Sequence, residues 1–246
     1  RRKNRHQARV FAFGVGEDVN ARLLDRLVNG NGGRSEYVSL EDNLEAKIAA
    51  FYSGITAPLL TNIQIEMSHT NLNRAYPSVL PDLFEGGQVV WVGRYNKSGK
   101  TKVSISGKVG DELKTFRFDA DLAQVSDGTT HSYVEKLWAT RRIGTIIDQI
   151  DLNGRNEELV NELVSLSKKH GILTPYTSFL ADEDVDLRAT SANMQRAYSA
   201  TEDLNETSGA YANAQRSAKQ DMMNQSVVVA NKPMAKRNPV RPAPSN

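Results

Sequence analysis

RVFAFGV (Arg9–Val15), GEDVNARLLDRLV (Gly16–Val28), EYVSL (Glu36–Leu40) and then Asp42 to Tyr52 succeed one another within a single short stretch, and their order decides the fold class. The first block is apolar, β-branched and aromatic, the composition of a buried strand. Gly14 and Gly16 break it, and Asp18 is placed to cap a helix. Leu23, Leu24, Leu27 and Val28 recur at helical spacing, and the glycines of Gly30–Gly33 end that helix. Glu36–Leu40 reads as a second strand. Asp42 is placed to cap a second helix with Leu44, Ile48 and Phe51 or Tyr52 inward. Strand–helix–strand–helix is the grammar of a parallel α/β sheet. Two buried parallel strands need neighbours on their edges and helices on both faces, so further strands are expected upstream of Arg1. The first residue being Arg rather than Met gives the same expectation, that this is a piece of a longer chain.

The pattern changes after Pro58. LTNIQIEM (Leu60–Met67) alternates apolar and polar residues, the signature of a half-buried antiparallel strand. QVVWVGRY (Gln88–Tyr95), KVSISGKV (Lys102–Val109) and LKTFRF (Leu113–Phe118) come next, with turn residues at Asn96–Gly99 and at Gly110–Asp111. Residues 58–120 are therefore expected to form an antiparallel sheet or sandwich. Tyr133–Ile150 places Val134, Leu137, Trp138, Ile143, Ile146, Ile147 and Ile150 on one helical face. Asn156–His170 is a second helix with Gly171 as its stop. Ile172–Leu180 is expected to run extended past Pro175. Beyond Asp182 the apolar pattern fades, so 182–246 reads as a polar tail without a core, ending in a Pro-, Lys- and Arg-containing stretch read as disordered.

Bulk composition removes several functions. The 246 residues carry 31 basic and 29 acidic side chains, a formal net charge of +2. No field of one sign exists to hold nucleic acid. Cysteine is absent, which excludes disulfides, thiol catalysis and thiolate metal sites. No apolar run is long enough to span a bilayer, and no leader is visible.

The local motifs are thin. Gly14-Val15-Gly16 after a strand suggests a dinucleotide turn, but Val19 stands where the fingerprint needs Gly or Ala. Asp18 sits at the sheet edge where a metal could bind, and a helix cap is the preferred reading. The acidic run Asp182, Glu183, Asp184 and Asp186 lacks the glycine bend and closing Glu of a calcium loop. His6, His69, His131 and His170 are not at ligand spacing. No G-x-S-x-G elbow or Walker loop occurs. Arg141 and Arg142 beside Trp138 suggest a basic-aromatic patch, with a solvated helix face preferred. Lys232, Lys236, Arg237 and Arg241 suit an acidic surface, with a linker preferred. No catalytic, cofactor-binding or metal residue is assigned.

Several blocks together resemble a known family. VFAFGVGEDVNARLLDRL from Val10 resembles the late strand and helix of von Willebrand factor A domains. FYSGITAPLLTNIQIEM from Phe51, YPSVLPDLFEGGQVVWVGRY from Tyr76, VEKLWATRRIGTIIDQI from Val134 and GILTPYTSFLADED from Gly171 resemble the region C-terminal to that domain in inter-alpha-trypsin inhibitor heavy chains and their bacterial relatives. The blocks keep their order over residues 10–184. The resemblance implies the C-terminal part of a Rossmann-like A domain at 8–56, an antiparallel region at 58–120 and a helical region at 132–180. It implies a parent with a vault-type domain, and an A domain that binds Mg or Ca through a D-x-S-x-S loop. That loop is absent here and is expected upstream of Arg1, so no cofactor is expected in this chain. The function it implies is a non-catalytic protein-binding or adhesion module, cation-dependent only in the full-length parent. The alternative is a metal-independent structural or assembly protein of the cell envelope. A protein partner, no nucleic acid and an exported or cell-envelope location are expected with either. A nucleotide-dependent enzyme resting on Gly14 and Gly16 is the third and weakest reading.

Overall fold

The computed structural model describes residues 8–29, 31, 33, 35–39, 42–53, 58–125 and 131–227. The readings at Arg1–Arg5, His6, part of the Gly30–Gly33 cluster, Leu40, Ile55 and the Lys232–Arg241 tail lie outside them.

The chain starts as an α/β unit: β1 (Ala12–Val15), α1 (Ala21–Asn29), β2 (Ser35–Val38) and α2 (Leu44–Ser53). β1 and β2 are parallel, with Ala12 opposite Ser35 and Val15 opposite Val38. The caps fall two residues and one residue later than the sequence pattern suggests. Asn20, not Asp18, accepts from the Leu23 amide, and Asn43, not Asp42, accepts from the Ala46 amide. Asp42 instead holds the Ser39 amide and Lys47. The inner face of α1 also differs from the expectation. Ala21, Asp25 and Val28 are buried, while Leu23 and Leu27 are 52% and 50% exposed. On α2, among the residues whose burial is described, only Phe51 is buried, its ring edge-on to Phe11 and Phe13 at 5.3 and 4.5 Å.

The antiparallel region comprises β3 (Pro58–Met67), β4 (Asn73–Tyr76), β5 (Leu83–Phe84), β6 (Val92–Arg94), β7 (Gly99–Val109) and β8 (Glu112–Leu122). One sheet has the order β5-β3-β7-β8, and β4 pairs with β6 in a separate ladder. The β7–β8 hairpin is the longest pairing, and Gly110 at φ 60 supplies its first turn position. The predicted strand at Gln88–Tyr95 shrinks to three residues, Val92–Arg94. Around it, Tyr76 and Val92 pack with Leu137 of the next helix.

That helix, α3 (Ser132–Asn153), packs on α4 (Glu157–His170). Asn156 caps α4 by accepting from the Glu158 and Leu159 amides, and Gly171 ends it in the left-handed region at φ 60. Ile143, Ile146, Ile147 and Ile150 meet Val160, Leu163 and Val164 in the main core. Arg142 grips Glu162 through two nitrogens, and Arg74 of β4 reaches the same carboxylate at 2.8 Å. The hydrogen bond from Arg142 holds Glu162 below the ordinary glutamate range.

Two readings of the C-terminal half need correction. Ile172–Leu180 is not extended. Thr174 and Thr177 bond each other across a turn, Tyr176 is buried, and Ser178–Ala181 is a 3-10 turn. Residues 182–227 are not a coreless tail either. They form α5 (Thr190–Ala200), a 3-10 turn at Thr201–Asn205 and α6 (Ala210–Asn224), and α6 lies along α3. The apolar pattern missed them because, Leu204 apart, their buried residues are small, polar or charged, among them Ala197, Ala212, Gln215, Arg216 and Lys219. Residues 228–246 lie outside the described set.

Candidate interaction surface

Two features stand out once the elements are in place. One is a buried ionic clamp that fixes the α/β unit to the helices. The other is a sheet with one uncovered apolar face.

The clamp is built by four elements. Lys219 on α6 is 1% exposed and reaches Asp25 of α1 at 2.7 Å, Asp148 of α3 at 2.9 Å and Asp151 of α3 at 3.2 Å. Arg216, one turn earlier and fully buried, donates to Asp151 at 2.8 Å. Arg22 of α1 joins the same carboxylate at 3.0 Å and also bonds the Leu204 carbonyl. Tyr37 of β2 donates to Asp25 at 2.6 Å. Three cations thus face three carboxylates. Burial alone would pull the Lys219 ammonium down. Asp148, Asp25 and Asp151 outweigh that, and its pKa is held above the usual lysine value. Burial and the Asp25 charge push the Tyr37 phenol well above its ordinary range, so it stays a donor.

The clamp also closes the sheet edge where an open α/β sheet takes ligands. Gly14 is packed tightly: a Cβ there would lie 2.9 Å from Val19 and 3.0 Å from Tyr37. The Gly16 amide donates to Val38, and its carbonyl accepts from Asn213 of α6. Gly209 donates to the Glu17 carbonyl, and Ala21 to that of Thr207. The turn that suggested a dinucleotide site is therefore filled by the start of α6. Asp18 is exposed.

The remaining sequence candidates disperse. Asp182 and Asp186 hold the amides of Asp184 and Arg188 in local turns. His69 contacts the Ser98 carbonyl. Arg141 is neither a surface patch nor a solvated helix face. It is 3% exposed and donates to the carbonyls of Tyr76, Val90 and Gln225. Trp138 donates to the Arg74 carbonyl with Arg94 stacked over its ring at 5.4 Å. Among the described residues, no group of three or more His, Asp or Glu is arranged to hold a metal. No described helix is long and apolar enough to cross a membrane.

The uncovered face lies on β3, β7 and β8. Cross-strand register puts Met67, Val103 and Phe118 in one row and Ile65, Ile105 and Phe116 in the next. The alternate positions, Ser104, Ser106, Lys102, Thr115, Arg117 and Asp119, make the opposite face polar. A face this apolar normally packs on another layer. Here no described helix packs broadly on it, and Phe116 and Phe118 remain 46% and 55% exposed. Residues Glu112 to Asp119 of β8 are all exposed, and β8 is the edge strand. The sequence carried this signal in its alternation at 102–118. What it did not carry was the absence of a covering helix among its own described elements.

Comparison with known proteins finds relatives among the inter-alpha-trypsin inhibitor heavy chains. The chain is 25% identical over 187 residues to inter-alpha-trypsin inhibitor heavy chain H4 of Homo sapiens, covering 72% of this chain and 20% of that one. It is 24% identical over 186 residues to heavy chain H2 of Mus musculus, covering 71% and 20%. Heavy chain H3 of Rattus norvegicus is 23% identical over 188 residues, covering 72% and 21%. The chain spans about a fifth of the length of the curated relatives it matches. No family model matches it. A solved structure, the ArnB paralog VWA2 from Sulfolobus acidocaldarius, overlaps 78% of this chain and 55% of its own at 12% identity and a TM-score of 0.35, too low an overlap to weigh beside the sequence matches.

Proposed function

We propose that this chain, similar in sequence to the inter-alpha-trypsin inhibitor heavy chains and resembling von Willebrand factor A domains in its first block, is a non-catalytic protein-binding module of the adhesion kind. The observation that carries it is the Met67–Val103–Phe118 and Ile65–Ile105–Phe116 face with the exposed edge strand β8 beside it. Phe116 and Phe118 are exposed and the other four residues of the two rows half-buried, and exposed apolar surface rimmed by polar residues marks protein contact sites. Buried carboxylates and cations that satisfy one another, as around Lys219, support a scaffold reading rather than an acid–base site.

A divalent cation, Mg or Ca, would contribute only through ligands supplied by a longer parent, since D-x-S-x-S does not occur in this sequence. The second reading is a metal-independent structural or assembly protein of the cell envelope, which the same uncovered face supports. Under both readings the location proposed is exported or in the cell envelope.

A photoreactive phenylalanine placed at Phe118 or Ile105 tests the surface, and the same residue at Ser104 or Ser106, on the polar face of β7, serves as the control. Adducts to a protein from the producing organism are expected from the apolar face and not from the polar one. Repeating the experiment in the longer parent chain with EDTA in place of magnesium separates the two readings: loss of adducts favours cation-dependent adhesion, and unchanged yield favours metal-independent assembly. Equal yields from both faces would sink the surface assignment.

A further inference from the structure

No described strand pairs with the outer side of β8, and a second copy of the same chain fits that edge. We propose that two copies pair antiparallel along β8, about a two-fold axis at Phe118. This rests on reading the β3–β7–β8 sheet as a contact surface.

Backbone directions set the terms. Val109 and Glu112 close the hairpin across Gly110 and Asp111, so that pair exchanges hydrogen bonds and the even-numbered residues of β8 bond to β7. The odd-numbered residues Thr115, Arg117, Asp119 and Asp121 then turn their N–H and C=O groups outward, a template for another strand. Two-fold pairing of identical strands puts residues of like parity opposite each other.

Charge then selects the register. Centring on Arg117 places Arg117 against its own copy, and centring on Asp119 pairs Arg117 with Asp121 twice but sets Asp119 against its own copy on the axis. Centring on Phe116 creates no ion pair. Centring on Phe118 places Arg117 opposite Asp119 twice and Thr115 opposite Asp121 twice, with Phe118 against Phe118 on the axis. Like charges directly opposite destabilise a ladder and opposite charges stabilise it. The same register joins the row Met67–Val103–Phe118 of one copy to that of the other, so the apolar face becomes continuous across the dimer.

The absence of cysteine makes the test clean. In the pairing, Cα atoms of the axial residue lie about 4.5–5.5 Å apart, within disulfide reach. F118C is expected to oxidise to a covalent dimer, whereas T115C, whose copies lie several residues apart, stays monomeric under the same oxidant. In sedimentation equilibrium the wild-type chain is expected to dimerise. R117D is expected to weaken the dimer more than tenfold, and R117D/D119R to restore it, with circular dichroism confirming each variant is folded. A wild-type chain that stays monomeric at its highest soluble concentration overturns the proposal. So does F118C cross-linking no faster than T115C. A monomer that still forms face-specific adducts with another protein would remove self-pairing and leave the protein-binding reading standing.

Discussion

Lys219→Met lowers the stability of the folded chain by about 3–5 kcal/mol, the usual result of removing one partner from a buried ion pair. Asp25, Asp148 and Asp151 would be left crowded around an apolar side chain at a point where Lys219 is 1% exposed. For a domain of this size that corresponds to a fall in Tm of roughly 10 °C. The pH dependence stems from the raised lysine pKa. A lysine whose folded pKa exceeds its unfolded one contributes fully below the unfolded value, about 10.4, and loses that contribution only as pH rises through the folded value. The deficit of Lys219→Met is therefore the same at neutral and mildly alkaline pH. Adding D25N removes one of the stranded charges, so the double variant is expected to lose less than the sum of the singles. Urea unfolding of the four proteins measures it. A single-variant loss below about 1 kcal/mol would mean that α6 is not docked as described.

Gly144→Leu is the second large effect. At Gly144, α6 packs so close to α3 that a side chain has little room. A Cβ there would meet Met223 Cγ at 2.9 Å, Met222 Cβ at 3.0 Å and the Met223 backbone nitrogen at 3.1 Å. The methionine side chains can move, but the backbone of α6 moves only by shifting the helix. Overpacking of this kind costs about 1–3 kcal/mol, and here it also pulls on Lys219, one turn away. Gly144→Ala is expected to cost much less, because the better helix propensity of alanine, worth about 1 kcal/mol, offsets part of the crowding. Thermal unfolding of both variants decides it. A leucine variant as stable as wild type would place α6 elsewhere.

These two sites also show where sequence reading stops. The strand–helix–strand–helix order at 12–53, the hairpin at 99–122 and the pair α3 and α4 were all legible, because each rests on local periodicity or on a turn residue such as Gly110 or Gly171. The inner face of α1 was not. Leu23 and Leu27 satisfy the helical spacing yet stay exposed, while Asp25 faces inward because its partner, Lys219, arrives 194 residues later. The same distance hides α6. A helix whose buried positions are Ala212, Gln215, Arg216 and Lys219 reads as polar until its carboxylate partners are in place. The candidate surface lies between these cases. The alternation that gives Phe116 and Phe118 one side of β8 is local and readable, but their exposure depends on which other elements cover them.

Exposure of Phe116 and Phe118 is the property on which the contact surface stands, and it can be measured directly. An anilinonaphthalene sulfonate dye added to the folded chain should brighten and blue-shift, as it does on exposed apolar surface. The signal should fall sharply in F116S/F118S, with the Tm of that variant unchanged or raised. A dye signal no larger than that of F116S/F118S, or one that survives those substitutions undiminished, would contradict the sheet face as the contact surface of this protein.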